Sequence, residues 1–425
     1  MSTVARPSLG SYAGPGTLAA DDAPAAAPGV AWYVWAIVAA ATCVVLGIIW
    51  DISWHMTIGR DGLFSPPHIS SYAGGAIVGV TCGWLALKTT FAGTEAERER
   101  SVRVWGFRAP LGAWVCVWGS FAMLTSAPFD DWWHNAYGLD VKIISPPHVL
   151  LLCGMLGIVV GALLLTVAYQ NRVTGAARVA PGRLYLYSMG LLVTMASVFA
   201  TEYTDRSAMH SPLFFRVAAI AFPLLLVAAS GGSTARWPAT TVALMYMAVR
   251  AVMTWILPLF PGEPRLGPVY QHVTHFVPME FPLLLVAPAL AIDLVMRGVL
   301  RGVLRDARRS HADATPVLPT PASSLRRAAR DWLLAAALGA AFLLALGIVQ
   351  WPFASFLMTP AARTALFATD AFPYMEGNNP YTRFEFYGAA PLGAWLQSGL
   401  WTLAVATLSS RLGLGWGRWM SRVRR

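Results

Sequence analysis

Apolar residues in this chain come in blocks of about 20, the length a helix needs to cross roughly 30 Å of hydrocarbon at about 1.5 Å per residue. The blocks occupy 31–51, 67–91, 109–128, 147–170, 184–202, 213–232, 237–258, 279–300, 332–352 and 392–410. With 56% hydrophobic and only 12% charged residues over 425 positions, no single soluble core hides this much apolar surface. Inside lipid every backbone polar group must find a partner within the protein, and segments of this length meet that demand as helices. The expected fold is therefore all-α: a polytopic transmembrane helix bundle of about ten spans.

The net charge of +10 raises the question of a nucleic-acid partner. The basic residues answer it by their placement, since they alternate between the two sides of the predicted spans. Arg98, Arg100, Arg103 and Arg108, then Arg172, Arg178 and Arg183, then Arg236, the long 301–330 segment and the C-terminal tail all fall on one side. The opposite segments carry only Arg60, Lys142, Arg206, Arg265, Arg363 and Arg383. This asymmetry predicts N-in and C-in termini in the cell (inner) membrane. A surface facing anionic lipid accounts for the charge, so no nucleic acid is expected.

Five regions follow along the chain. Residues 1–30, rich in Ala, Pro and Gly, read as a disordered cytoplasmic tail. Residues 31–170 carry a duplicated pair of hairpins, and 171–300 hold further helices with His- and Glu-bearing outward loops. A basic cytoplasmic linker at 301–330 contains His311, and 331–425 form a helix pair around a long extracytoplasmic loop over 352–391, read as a lid. Cys43, Cys82, Cys116 and Cys153 all fall within spans and read as small buried hydrophobes.

The duplication carries the chemistry. Asp51, Trp54 and His55, followed by Gly59, Asp61 and Ser65-Pro66-Pro67-His68, return as Asp130, Trp133 and His134, followed by Gly138, Asp140 and Ser145-Pro146-Pro147-His148. Four residues apart on a continuing helix, Asp51 and His55 share a face. Ser65 suits a cap and Pro66 the first helical position, which puts His68 in the next helix's first turn. One carboxylate and two imidazoles then meet at the extracytoplasmic surface, and Asp130, His134 and His148 repeat the construction. Such a set suits zinc, copper or Fe(II), and residue type alone does not choose. The alternative is a pair of interfacial turns whose polar groups satisfy the backbone, but ionisable groups repeated beside an apolar core point to metal.

Other outward groups are less regular. His272 and His275 with Glu280 form a further candidate metal or polar site, although Pro278 interrupts a helix there. His210 falls beside Glu202, Asp205 and Arg206, which read as a surface salt-bridge cluster. Arg250, inside a span, needs a partner, and Glu280 is the expected one. Trp50, Trp54, Trp132 and Trp133 read as interfacial anchors. Phosphate loops, nucleophile elbows and CxxC pairs are absent from the sequence.

The stretch Asp51-x-Ser53-Trp54-His55, Arg60-Asp61 and Ser65-Pro66-Pro67-His68 resembles the C subunit of particulate methane and ammonia monooxygenases. The resemblance covers about residues 45–160 and implies Asp51, His55 and His68 as copper ligands. It implies a second set at Asp130, His134 and His148, where Asp130 replaces the family's Asn; Ser-Pro-Pro-His likewise replaces Thr-Pro-Ser-His. The function expected is then a copper-dependent membrane oxidoreductase, an O2-using monooxygenase acting on a small hydrophobic substrate. Zinc and iron remain alternative metals; a quinol is the expected electron donor, with partner subunits or a homo-oligomer around it. The competing readings are copper or zinc transport or delivery, and a metal-stabilised structural subunit of a larger membrane complex.

Overall fold

The structure, a computed structural model, describes residues 29–59, 62–138, 145–310, 321–376, 384–388 and 390–425, without the side chains of 300–310 and 321–324. The described residues form ten long helices. The first hairpin is α1 (Trp32–Thr57) and α2 (Pro66–Phe91). A short α3 (Glu95–Glu99), closed by a capping box between Thr94 and Glu97, leads into a two-stranded antiparallel ribbon, β1 (Val102–Val104) and β2 (Phe107–Ala109). Its turn residues Trp105 and Gly106 both have positive φ, the geometry a two-residue hairpin demands. The second long hairpin is α4 (Leu111–Tyr137) and α5 (Pro146–Gln170). Then come α6 (Val179–Phe199), α7 (Pro212–Gly232), α8 (Pro238–Ile256), α9 (Val286–Ser310), α10 (Pro321–Leu357) and α11 (Leu392–Met420).

Eight of the long helices are apolar and long enough to cross a membrane; α9 and α11 are not among them. The all-α, multi-pass architecture agrees with the sequence. The predicted linker does not stay irregular: α9 runs on to Ser310 and α10 starts at Pro321, so helix occupies most of 301–330. His311 lies outside the described residues, as do residues 1–28 of the predicted tail, Asp61, Asp140 and, in the 352–391 loop, Asn378, Asn379 and Tyr381.

The two repeated hairpins pack side by side, and small residues let them do so. Ser120 on α4 donates its hydroxyl to the Gly75 carbonyl of α2 at 2.7 Å. Between α4 and α5, a methyl group on Gly119 would meet the Ile158 nitrogen at 2.7 Å, and one on Gly154 the Met123 nitrogen at 2.5 Å. These backbones are in near contact, the arrangement by which membrane helices gain dispersion and weak polar contacts without a hydrophobic driving force. Cys82 and Cys116 are buried in this region, whereas Cys43 and Cys153 are exposed on their helices, contrary to the expected burial of all four.

The largest departure from the sequence reading lies at 279–300. Helix begins only at Val286; the preceding stretch is not helical, yet most of it is buried. Its backbone groups are satisfied one at a time by side chains. Ser53 donates to the Val277 carbonyl at 2.6 Å, Thr57 accepts from the Val277 N–H at 2.8 Å, Tyr246 accepts from Leu283 at 2.9 Å and Gln350 from Leu284 at 2.9 Å. Non-helical backbone survives among membrane helices only where protein supplies such partners.

At the opposite end the bundle is locked by polar contacts. The buried Asp293 of α9 accepts from the Ala239 and Thr240 N–H groups at 3.2 and 2.9 Å, capping α8 from a different helix. Asn171 donates to the Met420 and Val423 carbonyls at 2.7 and 2.9 Å.

Candidate metal centre

Both motifs emerge at the same end of the bundle. His68 stands seven residues outward from Gly75, and Asp130 seven residues outward from Met123, which faces Gly75 across the α2–α4 contact. At about 1.5 Å per residue the two triads sit at similar depth, about 10 Å beyond that contact.

Each triad is assembled as the spacing requires. Helix α1 carries Asp51 and His55 through its last two turns, and Pro66 opens α2 so that His68 falls in the first turn. Helix α4 continues through Pro128 to Tyr137 and presents Asp130 and His134 on one face; α5 opens at Pro146 and supplies His148. Ser145 caps α5 by accepting from the His148 N–H at 3.4 Å, whereas Ser65 makes no such side-chain cap.

In the first triad His68 Nε2 lies 3.3 Å from Asp51 Oδ1, and His55 Nε2 lies 3.9 Å from Asp51 Oδ2. In the second, His148 Nε2 is 3.4 Å from Asp130 Oδ1 and His134 Nε2 is 3.4 Å from Asp130 Oδ2. One ligand atom from each of Asp130, His134 and His148 lies within 4.8 Å of the others, the separation at which three donors share one ion. All three are half-buried.

The hydrogen bonds around the rings determine what they offer. His134 Nδ1 faces the Gly138 carbonyl at 3.1 Å, and His68 Nδ1 faces the Gly62 carbonyl at 3.1 Å. A carbonyl only accepts, so Nδ1 carries a proton in both rings and Nε2 is the atom that faces the carboxylate. Two lone-pair atoms at this range repel each other unless a cation or a proton lies between them. Asp130 Oδ1 adds to this: shielded from solvent, it makes no hydrogen bond among the described residues. A metal ion among the carboxylate and the two imidazoles would meet all three ligand atoms together, so the residues fit such a group.

The other sequence candidates take different roles. His272 and His275 are exposed in non-helical backbone, His275 in a bridge to Pro261 and bonded to the Thr274 hydroxyl at 2.9 Å. The segment that carries them is not helical, so the helical chelate does not form. The Arg250–Glu280 ion pair is replaced by another. Arg250 donates to the Glu280 backbone carbonyl at 2.9 Å, while the Glu280 carboxylate accepts from the Arg206 N–H at 2.7 Å and lies 3.8 Å from its guanidinium. His210 is sandwiched between Trp351 and Phe386, with ring centroids 4.0 and 3.7 Å away, and its Nε2 faces the Trp351 carbonyl at 3.0 Å. Asp205 accepts from Tyr387 at 2.6 Å rather than pairing with Arg206. Burial and this bond raise the Tyr387 phenol well above its usual range, so the contact persists at high pH.

One group beside the first triad, Tyr374, escaped the sequence reading, and Trp54 makes contacts that reading did not foresee. Tyr374 is fully buried and its N–H donates to the Met56 carbonyl at 3.1 Å, bringing the 360–376 segment onto the turn after His55. Its ring fills the space beside Gly59, whose φ of +92° no branched residue adopts easily. Trp54, half-buried, packs on Phe276 at 5.8 Å and against the buried Ile58 and Leu257, so it also holds the segment around Phe276. No family model matches this chain, and neither a curated protein nor a solved structure does.

Proposed function

We propose that this protein is a copper-dependent membrane oxidoreductase of the O2-using monooxygenase kind, with one metal held by Asp51, His55 and His68 and another by Asp130, His134 and His148. The supporting observation is the second triad, whose carboxylate and two imidazoles bring three ligand atoms within 4.8 Å of one another, with His134 held through Nδ1 by the Gly138 carbonyl. The resemblance of residues 45–160 to the monooxygenase C subunit selects copper over zinc and iron. Bound copper would supply the means to polarise or reduce O2. The protein's own groups hold the imidazoles through their Nδ1 hydrogen bonds and keep one carboxylate oxygen away from water. In this reading the motif end is extracytoplasmic, a bilayer quinol donates electrons, and partner subunits or further copies complete the assembly.

Metal transport or delivery is the second reading, and the non-helical segment beside α9 gives it a reason, since broken helices line many transport routes. The residues there argue against a metal cation. Arg250 is buried beside that segment and Arg206 occupies the Glu280 carboxylate, so positive charge lies along the route inward. Oxygen uptake by the purified, copper-loaded protein with a short-chain quinol separates the readings. Quinol-dependent uptake that His134→Ala abolishes supports the oxidoreductase; copper binding without uptake, in the presence of co-purifying subunits, supports handling instead.

A further inference from the structure

At the motif end of the bundle, α7 and α11 part to leave a groove of about 700 Å³ lined by Arg216, Gln397, Ser398, Leu400 and Trp401 among others. Arg216 is the fifth residue of α7, so its backbone lies only about 6 Å below the helix start, near headgroup depth. Its Nη2 donates to the Ser398 hydroxyl at 3.0 Å. Its Nε is shielded from solvent and has no hydrogen-bond partner among the described residues, and none of the residues lining the groove is acidic. A guanidinium at the edge of the hydrocarbon calls for an anionic partner, and the groove contains none of its own.

The wall below it has a complementary character. Leu400, Ala404, Leu408 and Leu412 follow one another along α11 in a register of four, all exposed, the leucines by 74%, 51% and 54%. They form a continuous apolar stripe running inward from the groove. An occupant that satisfies both features has a negative head and a hydrocarbon tail.

We propose that this groove binds an anionic phospholipid, its phosphodiester on Arg216 and the polar groups of Gln397 and Ser398, and an acyl chain along the α11 stripe. A guanidinium engages a phosphate through two oxygens at once. A choline headgroup brings a positive charge for which the groove offers no carboxylate, so the site discriminates by headgroup charge. Inorganic phosphate shares the Arg216 contact but gains nothing from the leucines. The site is independent of the metal triads and tests separately from them.

Thermal unfolding of the purified full chain in a non-ionic detergent tests the assignment, titrating phosphatidylglycerol, phosphatidylcholine or inorganic phosphate. The expected midpoint rise with phosphatidylglycerol is about twofold or more larger than with phosphatidylcholine, with no rise from phosphate at equal concentration. Arg216→Gln removes the difference, and Arg236→Gln, at the other end of the bundle, keeps it. If Arg216→Gln does not purify as a folded protein, Trp401→Ala replaces it and must cut the phosphatidylglycerol rise by about half. Equal rises with both lipids, a rise with phosphate alone, or undiminished selectivity in the variant would overturn the proposal.

Discussion

At His134 a single backbone carbonyl, that of Gly138, decides which ring nitrogen faces Asp130. Gly138 holds φ +94° and ψ 168°, a region almost closed to residues with a Cβ, so Gly138→Ala strains the turn by about 1–3 kcal/mol and turns the carbonyl away. Metal affinity at that triad should fall about tenfold, as it does when an outer hydrogen bond to a ligating imidazole is lost, with helix content unchanged by circular dichroism. Asp130→Asn keeps the shape and removes the charge; a titration with copper should show a loss of similar size at one site only. An unaltered isotherm for both variants would mean that these groups serve the backbone alone. The triads were legible in the sequence because a spacing of four on a continuing helix and a Ser-Pro-Pro start leave little freedom. His272 and His275 misled for the complementary reason: their spacing implies chelation only on a helix, and the chain there is not helical.

The long hairpins depend on helices that touch through glycine. Gly119→Leu pushes a side chain into the Ile158 backbone, which lies 2.7 Å from where a first carbon would stand, and should destabilise the α4–α5 pair by at least about 1–3 kcal/mol. The thermal midpoint reads this directly, and a midpoint equal to wild type would remove the close-packing account. Apolar block length located most helices, since the hydrocarbon thickness imposes it. It failed at 279–285, where apolar composition coincides with non-helical backbone because Tyr246 and Gln350 there, and Ser53 and Thr57 at the neighbouring Val277, replace the helical hydrogen bonds from other helices. No local signal encodes partners so distant in sequence. Tyr246→Phe leaves the Leu283 N–H unsatisfied and should cost about 1–3 kcal/mol, whereas Tyr187→Phe, which is only partly buried, should cost less. Equal midpoints for the two variants would contradict the role given to Tyr246.

Across the whole molecule, polarity is divided between two ends. Arg-rich segments and the Asp293 and Asn171 locks lie at one end, and both triads, Glu280 and the Tyr374 contact lie at the other. Charge asymmetry predicts that the triad end faces outward. A cysteine placed at exposed Asn135 in a background lacking the four native cysteines should react with an impermeant thiol reagent in intact cells, and one at Arg236 only after lysis. The reverse pattern would invert the topology while leaving the sites intact. The duplication of the hairpins also predicts that the sites fill independently, because each takes its three side chains from its own pair of helices. Metal analysis of the purified protein beside His55→Ala and His134→Ala tests this most directly. The account predicts that each variant loses about one equivalent of copper while keeping the other; wild-type metal content in both variants would contradict it.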